Sequence, residues 1–207
     1  MQSKLESGSA RRGIGYSVLF PPGWREFKTT VEFEHVFIKL VTAEAKSAGR
    51  ADVVLILRQK MHEMFEQLRR RGALGFAIPM NKLTGGFWPA SLIVTPLKVG
   101  TTGKLSDAVG RAAGGNTVDT ERIDGADWYL WKSSYRPEEA SEIQNHGLNM
   151  VVPRPLPDGT VDPDPTAGLW LLFSYAEING VMVEEEADQL RELGLAILGT
   201  FKWETVQ

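Results

Sequence analysis

The spacing of apolar residues changes along the chain, and each period predicts a different kind of element. Between Ala51 and Arg71 apolar side chains recur at steps of three and four residues, which is typical of one face of an amphipathic helix. Asp52 near its start and Gly72 after its end suit the two ends of such a helix. Similar spacing predicts helices over Leu105–Ala113 and Val183–Leu198.

Alternation of apolar and polar residues predicts the strands. The segment Val31–Leu40 alternates in this way and is predicted to be a half-buried strand, with Ala43–Arg50 as the loop after it. Further strands are predicted over Tyr16–Phe20, Trp24–Phe27, Leu74–Pro79, Ala90–Leu97, Thr117–Ile123, Ala126–Tyr135, Leu169–Tyr175 and Thr200–Val206.

Turn residues indicate which strands are neighbours. Asp124-Gly125 separates two strand-like runs, and an Asp-Gly pair favours a tight hairpin because both positions accept a positive φ. The strands on either side of Thr84-Gly85-Gly86 are likewise predicted to be adjacent and antiparallel.

The segment 136–168 has no clear period and is rich in proline and aspartate, including Asp158, Asp162 and Asp164. We predict a long loop there, with room for a short strand over Asn149–Val152, and such loops are usually functional or partly disordered. Residues 1–12 are predicted to be a disordered tail. The remaining residues, 13–207, are predicted to be a single α+β domain in which helices flank a central antiparallel sheet.

Composition excludes several classes of protein. The chain has 207 residues, a formal net charge of -3 and no cysteine, which excludes disulfides, thiolate metal sites and a cysteine nucleophile. The slightly acidic balance argues against nucleic-acid binding. No apolar run approaches the roughly 18 residues of a membrane helix, and the polar start predicts a soluble cytoplasmic protein with no membrane insertion.

Residues able to carry chemistry do not form a known motif. His62-Glu63 with Glu66 lacks the second histidine of a metalloprotease helix, so we expect His62 and Glu66 to form an exposed pair one turn apart. His35 is expected in the core or at a strand edge, and His146 is expected to be the most exposed of the three histidines. We therefore assign no catalytic residue, no metal and no cofactor.

Aromatic residues near the long loop are the candidate binding residues. They are Trp128, Trp131, Tyr135 and Trp170, together with His146 inside the loop. Tryptophan and tyrosine are enriched where proteins bind one another. Each is also an ordinary core residue, so a packing role stays open for every one of them.

Two segments carry a resemblance to a known family. One is Tyr16–Trp24, a strand running into a Pro-Pro-Gly-Trp corner, and the other is Leu171–Trp203, a strand, a helix and a strand ending in Phe-Lys-Trp. Together they resemble the PsbP/Mog-like family, which includes the PsbP subunit of photosystem II, the Ran-binding Mog factor and bacterial LpqN-type lipoproteins. The chain lacks the lipidated cysteine of the lipoproteins.

The resemblance implies a bacterial protein with a central antiparallel sheet between helices. It transfers no catalytic residue, and it implies a protein that binds other proteins. We therefore expect a non-catalytic binding or accessory protein with another protein as its partner, possible roles being a secretion-associated or an immunity factor. The alternative is a small-ligand carrier or an enzyme with a pocket beneath the helix Ala51–Arg71, where Met61 and Met64 would line an adaptable cavity.

Overall fold

The computed structural model of the chain describes residues 13–80, 89–100, 103–138, 142–178 and 184–206. The predicted tail and the Thr84-Gly85-Gly86 turn lie outside these residues. The helices are α1 (Val31–Ser47), α2 (Ala51–Arg70), α3 (Leu105–Ala113) and α4 (Glu184–Leu198). The strands are β1 (Gly13–Ser17), β2 (Trp24–Lys28), β3 (Gly75–Pro79), β4 (Ala90–Lys98), β5 (Asp119–Ile123), β6 (Ala126–Tyr135), β7 (Ile143–Pro153), β8 (Ala167–Ile178) and β9 (Lys202–Val206).

A seven-stranded sheet in the order β2-β3-β4-β8-β7-β6-β5 forms the centre of the fold, and every pair in it is antiparallel. A separate ribbon pairs β1 with β9. We call the two faces of the large sheet the α4 face and the α3 face, each after one helix that packs on it. The α4 face includes Leu92, Leu148 and Leu171, and the α3 face includes Phe76, Trp131 and Val151.

The α4 face is covered by α4 and by the β1–β9 ribbon. Tyr16, Phe201 and Leu190 bury their side chains there against the sheet. The helix approaches β7 and β8 closely because residue 194 is glycine: a Cβ at Gly194 would lie 2.5 Å from the Phe173 ring and 2.8 Å from Leu148 Cδ1. The main core of the protein lies on this face.

On the opposite face α1 and α2 form a helical hairpin beside β2, β3 and β4. Four phenylalanines, Phe27, Phe37, Phe65 and Phe76, form its core, with neighbouring ring centroids 4.8 to 5.8 Å apart. Met61 and Met64 are partly buried against this cluster. The two methionines therefore contribute to the packing of the helical hairpin.

The strand predicted over Val31–Leu40 is wrong, because this segment is the first half of α1. Residues four apart, such as Phe33 and Phe37, turn to the same side in a helix and pack into the phenylalanine cluster. Thr30 caps the start of α1, where its Oγ1 accepts a hydrogen bond from the Phe33 N–H at 3.5 Å. The predicted loop Ala43–Arg50 is correspondingly reduced to residues 48–50, where Gly49 has a φ of 67°.

The short helix α3 packs over β6 and β7. Leu105, Val109 and Ala113 bury against Trp131 and Val151. Asp107 accepts a hydrogen bond from the Lys104 N–H at 3.1 Å at the start of the helix, and Gly114 ends it in the left-handed conformation. The predicted helix and its position on the sheet are both found.

The long loop predicted over 136–168 is wrong in extent, because Ile143–Pro153 is the strand β7 near the centre of the sheet. It pairs with β6 on one side and with β8 on the other. The loop that remains is 154–166, and it is tied down at its base: the Val99 N–H donates to Thr166 O and the Arg154 N–H to Ala167 O. Within it, the Leu156 N–H donates to Thr160 O and closes a tight turn.

The fold is therefore α+β, with a central antiparallel sheet flanked by helices, as the sequence predicts. None of the described helices is both long and apolar enough to cross a membrane.

Candidate partner-binding groove

Alternate residues of β6 form the floor of a groove on the α4 face. Trp128 and Leu130 point to this face, since both pack against the main core. The hairpin register places Glu121 opposite Trp128 and Asp119 opposite Leu130. One wall of the groove is therefore the acidic side of β5, which ends the sheet.

The other wall is built by the end of α4 and the start of β9. Leu195 and Leu198 come from the last turn of the helix, Phe201 directly precedes β9, and Trp203 lies on it. Phe201 contacts Trp128 edge to face, with ring centroids 5.7 Å apart, and contacts Trp203 at 5.2 Å. We call the space between the two walls the β6 groove, defined by Asp119, Glu121, Trp128, Leu130, Leu195, Leu198, Phe201 and Trp203.

Two cavities occupy this groove in succession. The first, of about 510 Å³, lies between Asp119, Leu130, Lys132, Leu148 and Leu195. The second, of about 330 Å³, is lined by Trp128, Phe201, Trp203 and Val161. Trp128 and Leu130 are two positions apart on one strand, so the cavities are neighbours along β6. The stretch of β6 from Ala126 to Lys132 spans about 20 Å, which suits an extended peptide segment.

The loop 154–166 closes one end of the groove. Val161 packs on the Asp124-Gly125 turn, where a Cβ at Gly125 would lie 3.6 Å from Val161 Cγ2. Both turn residues have the positive φ that the sequence predicts, 50° and 82°. The loop thus lies beside the aromatic hairpin.

A third cavity, of about 290 Å³, lies on the α3 side of the same loop. Lys104, Arg122, Asp127 and Tyr129 line it with Asp162. Arg122 Nη1 is 2.7 Å from Asp127 Oδ1, so these two charges are paired. This cavity is polar where the β6 groove is largely apolar.

Two pKa shifts describe the surroundings of the loop. Burial, and then the charge of Asp127, raise the pKa of the Tyr129 phenol, which therefore stays neutral at physiological pH. The Thr160 hydroxyl and N–H both donate to Asp158 and lower the pKa of its carboxyl group. The Asp158 carboxylate thereby holds the turn of the loop in place.

The five candidate binding residues are spread over both faces of the sheet. Trp128 is in the β6 groove. Trp131 and Trp170 lie together on the α3 face, with ring centroids 5.7 Å apart, and the Trp170 indole N–H donates to Asn149 Oδ1 at 3.1 Å. Trp131 is only 4% exposed, so both these tryptophans pack beneath α3.

Tyr135 and His146 lie toward the other end of the sheet but on opposite faces, since the residue opposite His146 is Ser134. Tyr135, at the end of β6, is 64% exposed. His146 stacks on Tyr175 with ring centroids 5.0 Å apart, and its Nε2 lies 3.0 Å from Glu177 Oε2. The structure therefore does not bring the five candidates together.

The expected exposures of the histidines are wrong. The side chain of His146 is 26% exposed against 58% for His62, because β7 is a central strand rather than a loop. His35 is exposed on α1. The short contact of His62 is with Glu34, 2.6 Å from Nδ1, while its predicted partner Glu66 is 3.9 Å from Nε2.

Within the described ranges, no group of three or more His, Asp or Glu side chains is placed to hold a metal ion. The groove offers hydrophobic contacts, indole rings and a few rim charges.

Sequence reasoning missed most of the groove wall. The signal for Phe201 and Trp203 is present, since two aromatic residues two positions apart on a strand share one face. Leu195 and Leu198 belong to the apolar side of α4, and nothing local shows that Leu195 is 43% exposed.

Comparison with known proteins finds only distant structural similarity. No protein-family model and no curated protein matches the chain. The chain resembles the solution structure of cyanobacterial PsbP (CyanoP) from Synechocystis, with 14% identity, a TM-score of 0.43 and coverage of 98% of this chain and 93% of that one. A structure from Bacteroides thetaiotaomicron is similar at 10% identity and a TM-score of 0.39, over 93% of this chain and 45% of that one. The resemblance to PsbP predicted from the sequence is found, and the argument for a site rests on the geometry of this chain.

Proposed function

We propose that the protein is a non-catalytic binding module that takes an extended segment of another protein into the β6 groove. The observation that carries this proposal is the pair of neighbouring cavities along β6, which are walled by apolar side chains of α4 and β9. A concave surface lined mainly by apolar and aromatic side chains is the usual form of a binding site. The cytoplasmic location, the bacterial origin and the absence of enzymatic activity stay predictions.

The chemistry of the groove favours binding over catalysis. Its apolar wall and floor suit the side chains of a partner, and tryptophans at its centre are the residues that most often dominate binding energy. Asp119, Glu121 and Lys132 stand at its rim and would set the orientation of the bound segment.

Substituting Leu195 tests the groove directly. Leu195 is 43% exposed, so Leu195→Lys should fold, while the added ammonium group would be buried by any partner in the groove. We expect the affinity for the partner to fall by about tenfold or more. The partner is to be identified by affinity purification from the organism of origin at natural expression level, with quantitative mass spectrometry.

Leu55→Lys is the matched control, because Leu55 is an exposed leucine on α2, 67% accessible and remote from the groove. A partner that copurifies with wild type and Leu55→Lys but is lost from Leu195→Lys supports the proposal. Equal recovery with both variants, or no partner with wild type, contradicts it.

The role of the loop 154–166 in binding is tested by changing only its turn. Replacing 156–160 with a shorter turn keeps the base of the loop, where the Leu105 N–H donates to Pro165 O. If the loop closes the groove against the partner, this variant should bind more weakly at unchanged thermal stability.

One observation favours a second candidate, a small-ligand carrier. The Trp203 indole N–H is buried without a hydrogen-bond partner, and Trp203 lines the cavity of about 330 Å³. A buried donor without an acceptor is costly, so a ligand with an acceptor atom and an apolar body would suit this cavity. Native mass spectrometry of gently purified protein should then show a bound small molecule, and the bare chain alone would contradict this candidate.

A further inference from the structure

The outer edge of β5 carries main-chain groups that no described strand pairs with. In a two-residue hairpin the residues flanking the turn, here Ile123 and Ala126, form a hydrogen-bonded pair, and such pairs alternate along the ladder. Thr120 and Arg122 therefore occupy the other kind of position, with their N–H and C=O groups directed away from β6. Their outward groups can receive an eighth strand.

The side chains beside this edge are acidic on the α4 face. Asp119 and Glu121 point to that face, in line with Ile123, and both are exposed. Neither forms an ion pair with any residue in the described ranges. Arg122 lies on the other face and is paired with Asp127. An added strand would therefore meet a net negative charge on the α4 face only.

This pattern disfavours a second copy of the chain as the added strand. If Thr120 pairs with Arg122 of an antiparallel copy, the two Glu121 residues lie opposite each other. If Thr120 pairs with Thr120, Asp119 lies opposite Glu121, and if Arg122 pairs with Arg122, the two guanidinium groups are opposed. Each register sets like charges directly opposite, which destabilises a strand pair.

We propose that the β5 edge binds, by strand addition, an antiparallel segment of another protein with a basic residue at two alternate positions. The segment places an apolar residue opposite Ile123 and a lysine or arginine opposite Glu121 and Asp119. Read from its amino end, its sequence pattern is therefore apolar, any residue, basic, any residue, basic. The outward groups of Thr120 and Arg122 supply the main-chain hydrogen bonds. This inference rests on the proposed function and names the chemistry of the partner, because the added strand extends the β5 wall of the groove.

Synthetic peptides test the inference without an identified partner. The probe is a fluorescent peptide of threonines in which one valine and two lysines occupy alternate positions. The first control has the same composition with the lysines adjacent, so that they point to opposite faces. The second control has N-methyl groups on the edge that would face β5. Binding is measured by fluorescence anisotropy at low and high salt.

We expect the probe to bind at least about fivefold more tightly than the adjacent-lysine peptide, to weaken in salt, and to lose binding on N-methylation. The double variant Asp119→Lys, Glu121→Lys should instead prefer the peptide with glutamate in place of lysine. Equal binding of the two lysine peptides, retained binding after N-methylation, or no binding of the probe would overturn the inference.

Leu195→Lys separates this inference from the groove proposal. It should not abolish binding of the short probe, because the outward main-chain groups of Thr120 and Arg122 stay in place. The added lysine lines the same cavity as Asp119 and Glu121, so it should reduce only the salt-dependent part of the binding. If Leu195→Lys loses the partner while the probe fails to bind wild type, the groove stands and the strand addition falls.

Discussion

Single residues decide how closely the layers of this fold approach each other, and Gly194 is the clearest example. It lets the α4 backbone lie against Phe173 and Leu148, both buried. The helix itself has no need of a glycine there, since glycine is the poorest helix former after proline. Position 194 is glycine because the sheet lies close beneath the helix there.

Gly194→Ala should destabilise the protein. The new Cβ would lie within 2.8 Å of side-chain atoms on two buried residues, and such overpacking costs about 1–3 kcal/mol, against about 1 kcal/mol gained in helix propensity. Chemical denaturation with a fitted free energy of unfolding measures the difference.

Gly110→Ala is the control, because it is also inside a helix but has no atom within 4 Å of the added Cβ. It should stabilise by up to about 1 kcal/mol. Opposite signs for the two substitutions are expected, and stabilisation by both would show that α4 can move off the sheet at no cost.

At the scale of elements, local turn chemistry was predictable and long-range partners were not. The Asp124-Gly125 hairpin, α2 and α3 are set by residues close in sequence, and all three are found as predicted. Val31–Leu40 alternates like a strand, yet it is helical because Phe33 and Phe37 pack with α2 and because buried Glu34 finds its partners on α2. Those partners, His62 and Arg69, lie 28 and 35 residues further along the chain.

The same limit explains β7 and the groove. Leu148–Pro153 is apolar except for Asn149, but Ile143–Gly147 is largely polar, and only pairing with β6 and β8 extends the strand over both. The sequence placed Trp128 among the binding candidates. The wall opposite it comes from residues nearly 70 positions later, which no local pattern connects to it.

The contacts of Glu34 with His62 and Arg69, which we call the Glu34 clamp, should make the stability of the helical hairpin depend on pH. Glu34 is 4% exposed, and its two carboxylate oxygens lie 2.6 Å from His62 Nδ1 and from Arg69 Nη1. Burial raises the pKa of Glu34, but the hydrogen bonds and charges of His62 and Arg69 outweigh it and lower the pKa. The hydrogen bond and the charge of Glu34 raise the pKa of His62.

The two shifts define a window of pH. The stabilisation from Glu34 is present above its unfolded pKa, about 4.3, and is lost as the pH falls through the lower folded value. That from His62 is present below its unfolded pKa, about 6.5, and is lost as the pH rises through the raised folded value. The Tm advantage of wild type over His62→Gln should therefore be largest between these values and shrink above neutrality. A pH-independent Tm difference for His62→Gln would contradict the clamp.

At the scale of the whole molecule, the hydrophobic core is divided. The main core lies between the sheet, α4 and the β1–β9 ribbon, while the phenylalanine cluster under α1 and α2 is a separate group of buried residues. Separate clusters favour local opening, in which one unit unfolds while the rest stays native.

Phe37→Ala tests this division. Phe37 is 4% exposed and contacts three other phenylalanines, so its truncation should cost about 3–5 kcal/mol. Hydrogen exchange should accelerate in α1 and α2 far more than in β7 and β8. Leu171→Ala, in the main core, should accelerate exchange throughout, and a uniform effect of Phe37→Ala would show that the two clusters unfold together.

The strand order also shapes how the chain reaches its native state. β2, β3 and β4 follow one another in the sheet, and so do β5, β6, β7 and β8, so that two meanders meet at the β4–β8 pair. That seam joins Ala90–Lys98 to Ala167–Ile178 across a long stretch of sequence, and closing such a distance is slow. During synthesis β4 has no partner on one side until β8 has emerged. Its exposed edge in that interval is a point at which the nascent chain is open to aggregation or to a chaperone.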